Sequence, residues 1–425
     1  MKYRLCLHGL EVKHQMQLLK LIRRLLPNST VKYKFKEKYF SDNDMYKCRI
    51  ARFTSADGSK QRLYCAWGVM LVSDKLMPIS DIILEFDDSC DLEIVQMQLK
   101  RLLSSRIKFV LEEPDFRQRI KQLRGCFELD ELDLYDKEIA VSALYCHLPW
   151  QVYYVSKLWQ EVLQRGPEKP LMRQLRVKLR RLRSLLTFCK PLLPEETATY
   201  WQGILKARTT MFSAVREYDV ALMTCAKLKG SEAGTNAVPN LTVLLQKLRS
   251  EAADKALRGQ KLNKITLELG QFLLWLYSVP SQKKEQSLDE FLYRRFNVWY
   301  DKLIKMPERY PNTNDMEQLH RIRIKLKRFR YALQSVPELK AEPRLLRNLK
   351  YLQDMLGLLH DDYINALMIE RLVAVNPEIP ELRYEGAMFT GWERAKSDAA
   401  LEALPQQWEY FCELLTEWKD RYLMK

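Results

Sequence analysis

The alternation of apolar and polar positions changes its period once along the chain. Over roughly the first 110 residues the period is two, as in half-buried strands. Lys32-Tyr33-Lys34-Phe35-Lys36 and Arg62-Leu63-Tyr64-Cys65-Ala66-Trp67 carry it, and residues 79–86 read as a further strand. Asp57-Gly58, between two such runs, is a hairpin signal. An Asp-Asp-Ser cap signal at 87–89 precedes a helical stretch over 92–103. Together these elements predict a β-rich α+β domain.

From Ile139 onward the period is 3.6. It predicts helices over 139–164, 170–190, 195–228, 239–278, 287–305, 314–335, 342–374 and 382–422, the last with a break near Pro405. Further breaks are expected at Pro167 and Pro170, Pro191 and Pro194, the loop over 230–234, Pro280 and Pro311. The organisation that follows is an α+β domain over 1–115, a linker over 116–138 and an all-α domain over 139–425.

Composition sharpens this picture in three places. Glycine is scarce, with 13 in 425 residues, which disfavours glycine-rich phosphate loops and suits long helices. The nine cysteines are scattered without a C-x-x-C pair, so neither a disulfide framework nor a zinc site is signalled, and reduced thiols in a cytoplasm are expected. The opening Met1-Lys2-Tyr3-Arg4-Leu5-Cys6 lacks the apolar core of a signal peptide, and the most apolar run, residues 272–277, is too short to span a bilayer. No membrane partner is expected. The net charge of +16 favours anions, without choosing among nucleic acid, lipid headgroups and phosphate chains.

An internal repeat makes that choice narrower. Arg173-Gln174-Leu175-Arg176-Val177-Lys178-Leu179-Arg180-Arg181-Leu182-Arg183 aligns without a gap to His320-Arg321-Ile322-Arg323-Ile324-Lys325-Leu326-Lys327-Arg328-Phe329-Arg330. On a helix, Arg173, Arg176, Arg180 and Arg183 fall within an arc of roughly 80°. His320, Arg323, Lys327 and Arg330 do the same in the second copy. Beside each row runs an apolar stripe: Leu175, Leu179, Leu182 and Leu186, then Ile322, Leu326, Phe329 and Leu333. Like charges three and four residues apart repel, and neither stretch contains an acid to relieve them. An external anion is expected to do so. A second repeated element follows each copy: Lys206 and Lys350 precede, by the same interval, Arg216-Glu217 and His360-Asp361. The lysines extend the cationic rows, and Glu217 and Asp361 are expected to orient basic side chains by ion pairing.

At these residues the chain resembles the CHAD family, the conserved-histidine α-helical domain. The resemblance is carried by Leu319-His320-Arg321-Ile322-Arg323-Ile324-Lys325-Leu326-Lys327-Arg328-Phe329-Arg330-Tyr331, by Leu352-Gln353-Asp354-Met355-Leu356-Gly357, and in the first half by residues 175–184. It covers about 140–425 and implies two pseudo-symmetric helical bundles, with repeat halves near 139–235 and 287–425. It also implies binding of inorganic polyphosphate in a basic central groove. Arg173 stands where the family's histidine would, which keeps a cation there but removes a proton-transfer role.

The N-terminal region resembles a degenerate CYTH, or triphosphate-tunnel, domain with an incomplete tunnel. Tyr39-Phe40-Ser41-Asp42-Asn43-Asp44 is similar to that family's Y-F-D-T-P-D turn, residues 79–86 to its late acidic strand, and 92–103 to the helix after it. The family's E-x-E-x-K opening would lie at Lys2-Tyr3-Arg4-Leu5-Cys6, which has neither carboxylate nor the lysine. On the late strand Glu85 remains, while its partner place is Ile83. Holding Mg²⁺ against a triphosphate takes several oxygen ligands, so Glu85 is expected as an ion-pair or surface residue.

The expected function is non-catalytic binding of inorganic polyphosphate, or a similar polyanion, in a basic cleft between the two helical repeats. The expected binding residues are Arg173, Arg176, Arg180, Arg181, Arg183, Lys206, His320, Arg323, Lys327, Arg328, Arg330 and Lys350. No catalytic residue, metal or cofactor is expected. The alternatives are an RNA- or other nucleic-acid-binding protein, or a residual metal-dependent triphosphatase in the first domain. A cytoplasmic location, with association to polyphosphate granules, follows from the leading reading.

Overall fold

A computed structural model describes residues 2–41, 43–54, 61–87, 89–124, 140–228, 235–279, 287–304, 315–335 and 342–423. Asp57-Gly58, the loop over 230–234, Pro280 and Pro311 lie outside these residues. The chain opens with β1 (Lys2–Leu10), α1 (Gln15–Leu25), β2 (Thr30–Ser41), β3 (Asp44–Thr54), β4 (Arg62–Val72), β5 (Lys75–Asp87), α2 (Leu92–Leu103), β6 (Lys108–Glu112) and α3 (Phe116–Leu123). The helices that follow are α4 (Ala140–Arg165), α5 (Lys169–Phe188), α6 (Glu195–Thr210), α7 (Ser213–Cys225), α8 (Pro239–Leu257), α9 (Leu262–Tyr277), α10 (Leu288–Ile304), α11 (Met316–Ser335), α12 (Pro343–Val375) and α13 (Glu381–Leu423). A six-stranded sheet followed by a helical region is the α+β then all-α arrangement that the change of period predicts.

The chain divides into two compact units that do not follow the sequence linearly. One comprises Met1–Lys178, Leu192–Pro194 and Gly259–Glu285; the other comprises Leu179–Pro191, Glu195–Arg258 and Gln286–Lys425.

In the first unit the six strands pair antiparallel throughout, in the order β2-β3-β4-β5-β1-β6. One face of the sheet packs on α2 and α9. Tyr3 stacks on Tyr277 with ring centroids 5.0 Å apart, and Gly270 lets α9 approach, since a Cβ there would lie 2.9 Å from Leu99. On the other face α3 buries Phe116 and Ile120 against Cys48, Ala66, Met70 and Ile79. Arg119 of α3, 2 % exposed, reaches Asp81 at 2.9 Å and the Glu113 carbonyl at 2.6 Å. Asp81 also meets His8 at 2.8 Å; although burial opposes it, the Arg119 and His8 partners hold its carboxyl below the usual range.

The β6 edge is closed by side chains rather than by another strand. Phe109 donates to Asn263 Oδ1 at 2.9 Å and accepts from the Thr266 hydroxyl at 2.7 Å, while the Leu111 amide donates to Ser156 Oγ at 2.9 Å. The capping carboxylate of α2 is that of Asp91, which accepts from the Glu93 amide at 2.8 Å.

The second unit is helical. Ala221, Cys225, Val238, Leu241, Leu245, Ile369, Leu372, Leu382 and Phe389 form one buried cluster shared by α7, α8, α12 and α13. Gly386 sets the approach of α13 to α12: a Cβ there would lie 2.9 Å from Ile369. Two expected helices are each split in two. The 195–228 helix breaks at Met211–Phe212, where the Thr209 and Thr210 hydroxyls donate back to Leu205 and Lys206 carbonyls and Phe212 turns fully inward. The 239–278 helix breaks at 258–261, where Gly259 adopts φ +72°. Conversely, α13 runs unbroken through Pro405, with Leu404 and Trp408 buried on either side of it. The loss of one backbone hydrogen bond there is outweighed by packing.

Candidate anion site

Both basic helices are amphipathic in the way their sequences require. Leu175, Leu179, Leu182 and Leu186 of α5 are at most 1 % exposed, and Ile322, Leu326, Phe329 and Leu333 of α11 at most 4 %. Those stripes fix the rotation of each helix, and with it the direction of the adjoining cations.

Within the second unit these cations meet. Arg181 Nη2 donates to Gln334 Oε1 at 3.2 Å, tying α5 to α11. The guanidiniums of Arg181 and Arg330 both lie over the Tyr331 ring, 5.9 and 5.6 Å from its centroid. Arg183 feels Arg328 and Arg180, which add to burial in disfavouring its charge.

Helices α7 and α12 complete the cluster. Asp361 forms an ion pair with Arg216 and a longer one, 3.9 Å, with Arg323. Arg323 lies against α12 at Gly357, where a Cβ would sit 3.8 Å from Nε and Nη2. The His320 and His360 rings are 4.3 Å apart, centroid to centroid. Gln353 donates to the Leu326 carbonyl at 2.9 Å and locks α12 onto α11 from the buried side.

Gathering cations away from water is unfavourable, and the ionisation behaviour records it. Burial, then Arg323, Arg180 and Arg216, push the Lys327 ammonium down to about 6 against the opposing pull of Asp361. Burial lowers Arg323 to about 10, and burial with Arg323 and His320 lowers His360 to about 4. Burial, Arg323 and Lys327 also lower His320. Several buried nitrogens in the cluster make no hydrogen bond among the described residues: the donors Arg181 Nε, Arg323 Nε and Arg330 Nε, and the ring nitrogen His320 Nδ1.

The sequence matches the CHAD domain over residues 156–370, half of the chain. The chain belongs to the CHAD family. Its fold is similar to the crystal structure of the CHAD domain from the plant Ricinus communis, at TM-score 0.54 and 23% identity over 67% of this chain and 96% of that one. It is also similar to PptA from Streptomyces chartreusis, at TM-score 0.51 and 20% identity over 64% of this chain and 99% of that one. No curated protein matches.

The CHAD region brings together Arg180, Arg181, Arg183, His320, Arg323, Lys327, Arg328 and Arg330, with Asp361 as the orienting acid. Lys350 is exposed, two turns before Gly357 and on the same face of α12 as Asp361. Lys206 is exposed on α6. Arg173 is exposed and Arg176 half-buried on the first half of α5, which groups with the other unit. Glu217 lies beside Arg216 on α7; its charge adds to burial in raising the Tyr218 phenol.

Arg216 is the participant that reading by charge rows misses. Its place opposite His360 in the second repeated element was its signal. Arg295 is the other: its guanidinium donates to the Phe188 and Thr187 carbonyls at 2.7 and 2.6 Å and so caps the end of α5. No feature of the sequence marks it.

In the first unit Glu85 is engaged by Arg4 at 2.8 Å, Arg62 at 3.3 Å and the Tyr64 hydroxyl at 2.9 Å. It is the ion-pair residue expected from the missing carboxylates. Among the described residues no cluster of three or more His, Cys, Asp and Glu side chains could hold a metal ion, and no helix is long and apolar enough to cross a membrane.

Proposed function

We propose that the chain binds inorganic polyphosphate, or a closely similar polyanion, without cleaving it, and that the cluster around Arg180, Arg323 and Lys327 is the binding site. The observation that carries this reading is the charge imbalance: cations from α5, α7 and α11 converge on one shared acid, Asp361. The charged forms of Arg180, Arg323 and Lys327 are disfavoured as they stand. A chain with one negative charge per phosphate would restore them and accept from the buried donors left over. Membership of the CHAD family supports the same ligand, and the free cysteines suit a reducing cytoplasm, where granule association follows from the ligand.

The test is calorimetric titration with long-chain polyphosphate at low and high salt. Engagement of four cations predicts that log K falls with log[salt] at a slope of about −3. Binding that ignores salt, or that Arg323→Gln leaves unchanged, overturns the reading.

A further inference from the structure

The two edges of the sheet are treated differently. The β6 edge is satisfied by side chains of α4 and α9, whereas β2 is exposed along nearly its whole length. Period-two alternation normally buries one face of a strand; here neither face of β2 is buried.

What the exposed strand displays is specific. Phe35 pairs with Arg49, and Arg49 with Trp67, so these three side chains form one line across β2, β3 and β4 on the same face. Tyr33 stands beside Phe35 on that face, about 6.8 Å along the strand. Phe35 is 52 % exposed and Tyr33 64 %. Lys47 lies 5.6 Å from the Phe35 ring centroid. Among the described residues of β2, β3 and β4 the face carries one acid, Glu37, and it is occupied by Lys47 at 3.7 Å and the Tyr39 hydroxyl at 2.9 Å. Helix α1 borders the same face, since it packs on β4 with Gln15 beside Cys65, and exposes Lys20, Arg23 and Arg24. Guarding an edge against strand pairing explains lysines 32, 34, 36 and 38, which project from the opposite face. It does not explain aromatic rings left in water in line with cations.

We propose that this face binds single-stranded nucleic acid, with bases stacked on Phe35, Tyr33 and Trp67 and the sugar-phosphate chain held by Arg49 and Lys47. Every base has a π-face, so rings of this kind accept any sequence, and the cations match the backbone. Polyphosphate has no base to stack, so this site and the helical cluster select different polymers.

The experiment uses fluorescence anisotropy of the full chain with fluorescein-labelled oligouridylate, oligothymidylate and an abasic sugar-phosphate oligomer. Phe35→Ala and Tyr33→Ala are exposed changes that leave the core intact. Each is expected to weaken oligouridylate binding about tenfold, with long-chain polyphosphate affinity unchanged. The abasic oligomer is expected to bind the parent protein at least tenfold more weakly than oligouridylate. Equal binding of oligouridylate and oligothymidylate, or a preference for the former, fits the proposal and tells whether the ribose is read. Equal binding of the abasic oligomer, or variants indistinguishable from the parent, overturns it. So does a shift from dimer to monomer in Phe35→Ala without loss of oligonucleotide binding, because the rings then serve contact between copies of the chain.

Discussion

Lys327 concentrates the logic of the proposed anion site in one side chain. Burial, with Arg323, Arg180 and Arg216 around it, pushes its ammonium down to about 6, so at neutral pH it is mostly uncharged. If the proposed function holds, a phosphate chain restores the charge, and binding takes up a proton. Affinity for polyphosphate is expected to fall as pH rises above 6, by at most about tenfold per pH unit for one proton. Lys327→Met should flatten that profile, which titrations at pH 6, 7 and 8 would reveal. The same substitution has a second, opposite consequence. Because the folded pKa lies below the unfolded one, the unfolded chain binds more protons between pH 6 and 10, and this lysine makes stability rise with pH across that window. Removing it should raise the melting temperature at pH 7 by about 3 °C while weakening binding. A variant that binds less and melts lower would point to a packing role instead.

At the scale of elements, the cluster depends on where α5 ends. Arg295 of α10 holds the last carbonyls of α5 through two charge-assisted hydrogen bonds, and Phe188 packs edge-on against Phe291 and Trp299. Arg295→Ala leaves two carbonyls without their partner and should destabilise the protein by about 2 kcal/mol in urea denaturation. Faster hydrogen exchange should be confined to the last turn of α5; unchanged exchange there would remove Arg295 from this role. Such a cap is invisible in the sequence because its partners are backbone atoms 107 and 108 residues away. What the sequence discloses well is periodic. The apolar stripes of α5 and α11 identify their buried faces and so their cationic ones, and the charge rows follow. What it discloses poorly is set by tertiary packing: the break at Phe212, the continuation of α13 through Pro405, and the meeting of Arg216 with Asp361. The alternation along β2 marks a strand correctly, yet it cannot tell that both faces stay in water.

At the scale of the whole molecule, a net charge of +16 would draw any polyanion, and the question is what a built site adds to that field. Long-range attraction depends on total charge and is screened beyond roughly 8 Å at physiological salt. Contact with desolvated guanidiniums depends on position and persists. Two double variants separate the effects because each lowers the net charge by two, from +16 to +14. Lys247→Gln/Lys255→Gln removes exposed cations from α8, and Arg180→Gln/Arg323→Gln removes clustered ones. If the field alone binds polyphosphate, the two should weaken binding equally, and both losses should vanish at high salt. If the cluster is the site, the α8 variant should stay within about twofold of the parent while the cluster variant loses about a hundredfold, given roughly 1.5 kcal/mol for each charged hydrogen bond. Much of that loss should survive at high salt, because screening reaches exposed charges more readily than buried ones. The decisive quantity is thus the difference between two proteins of identical charge, which the composition of the chain cannot supply and the convergence of its helices can.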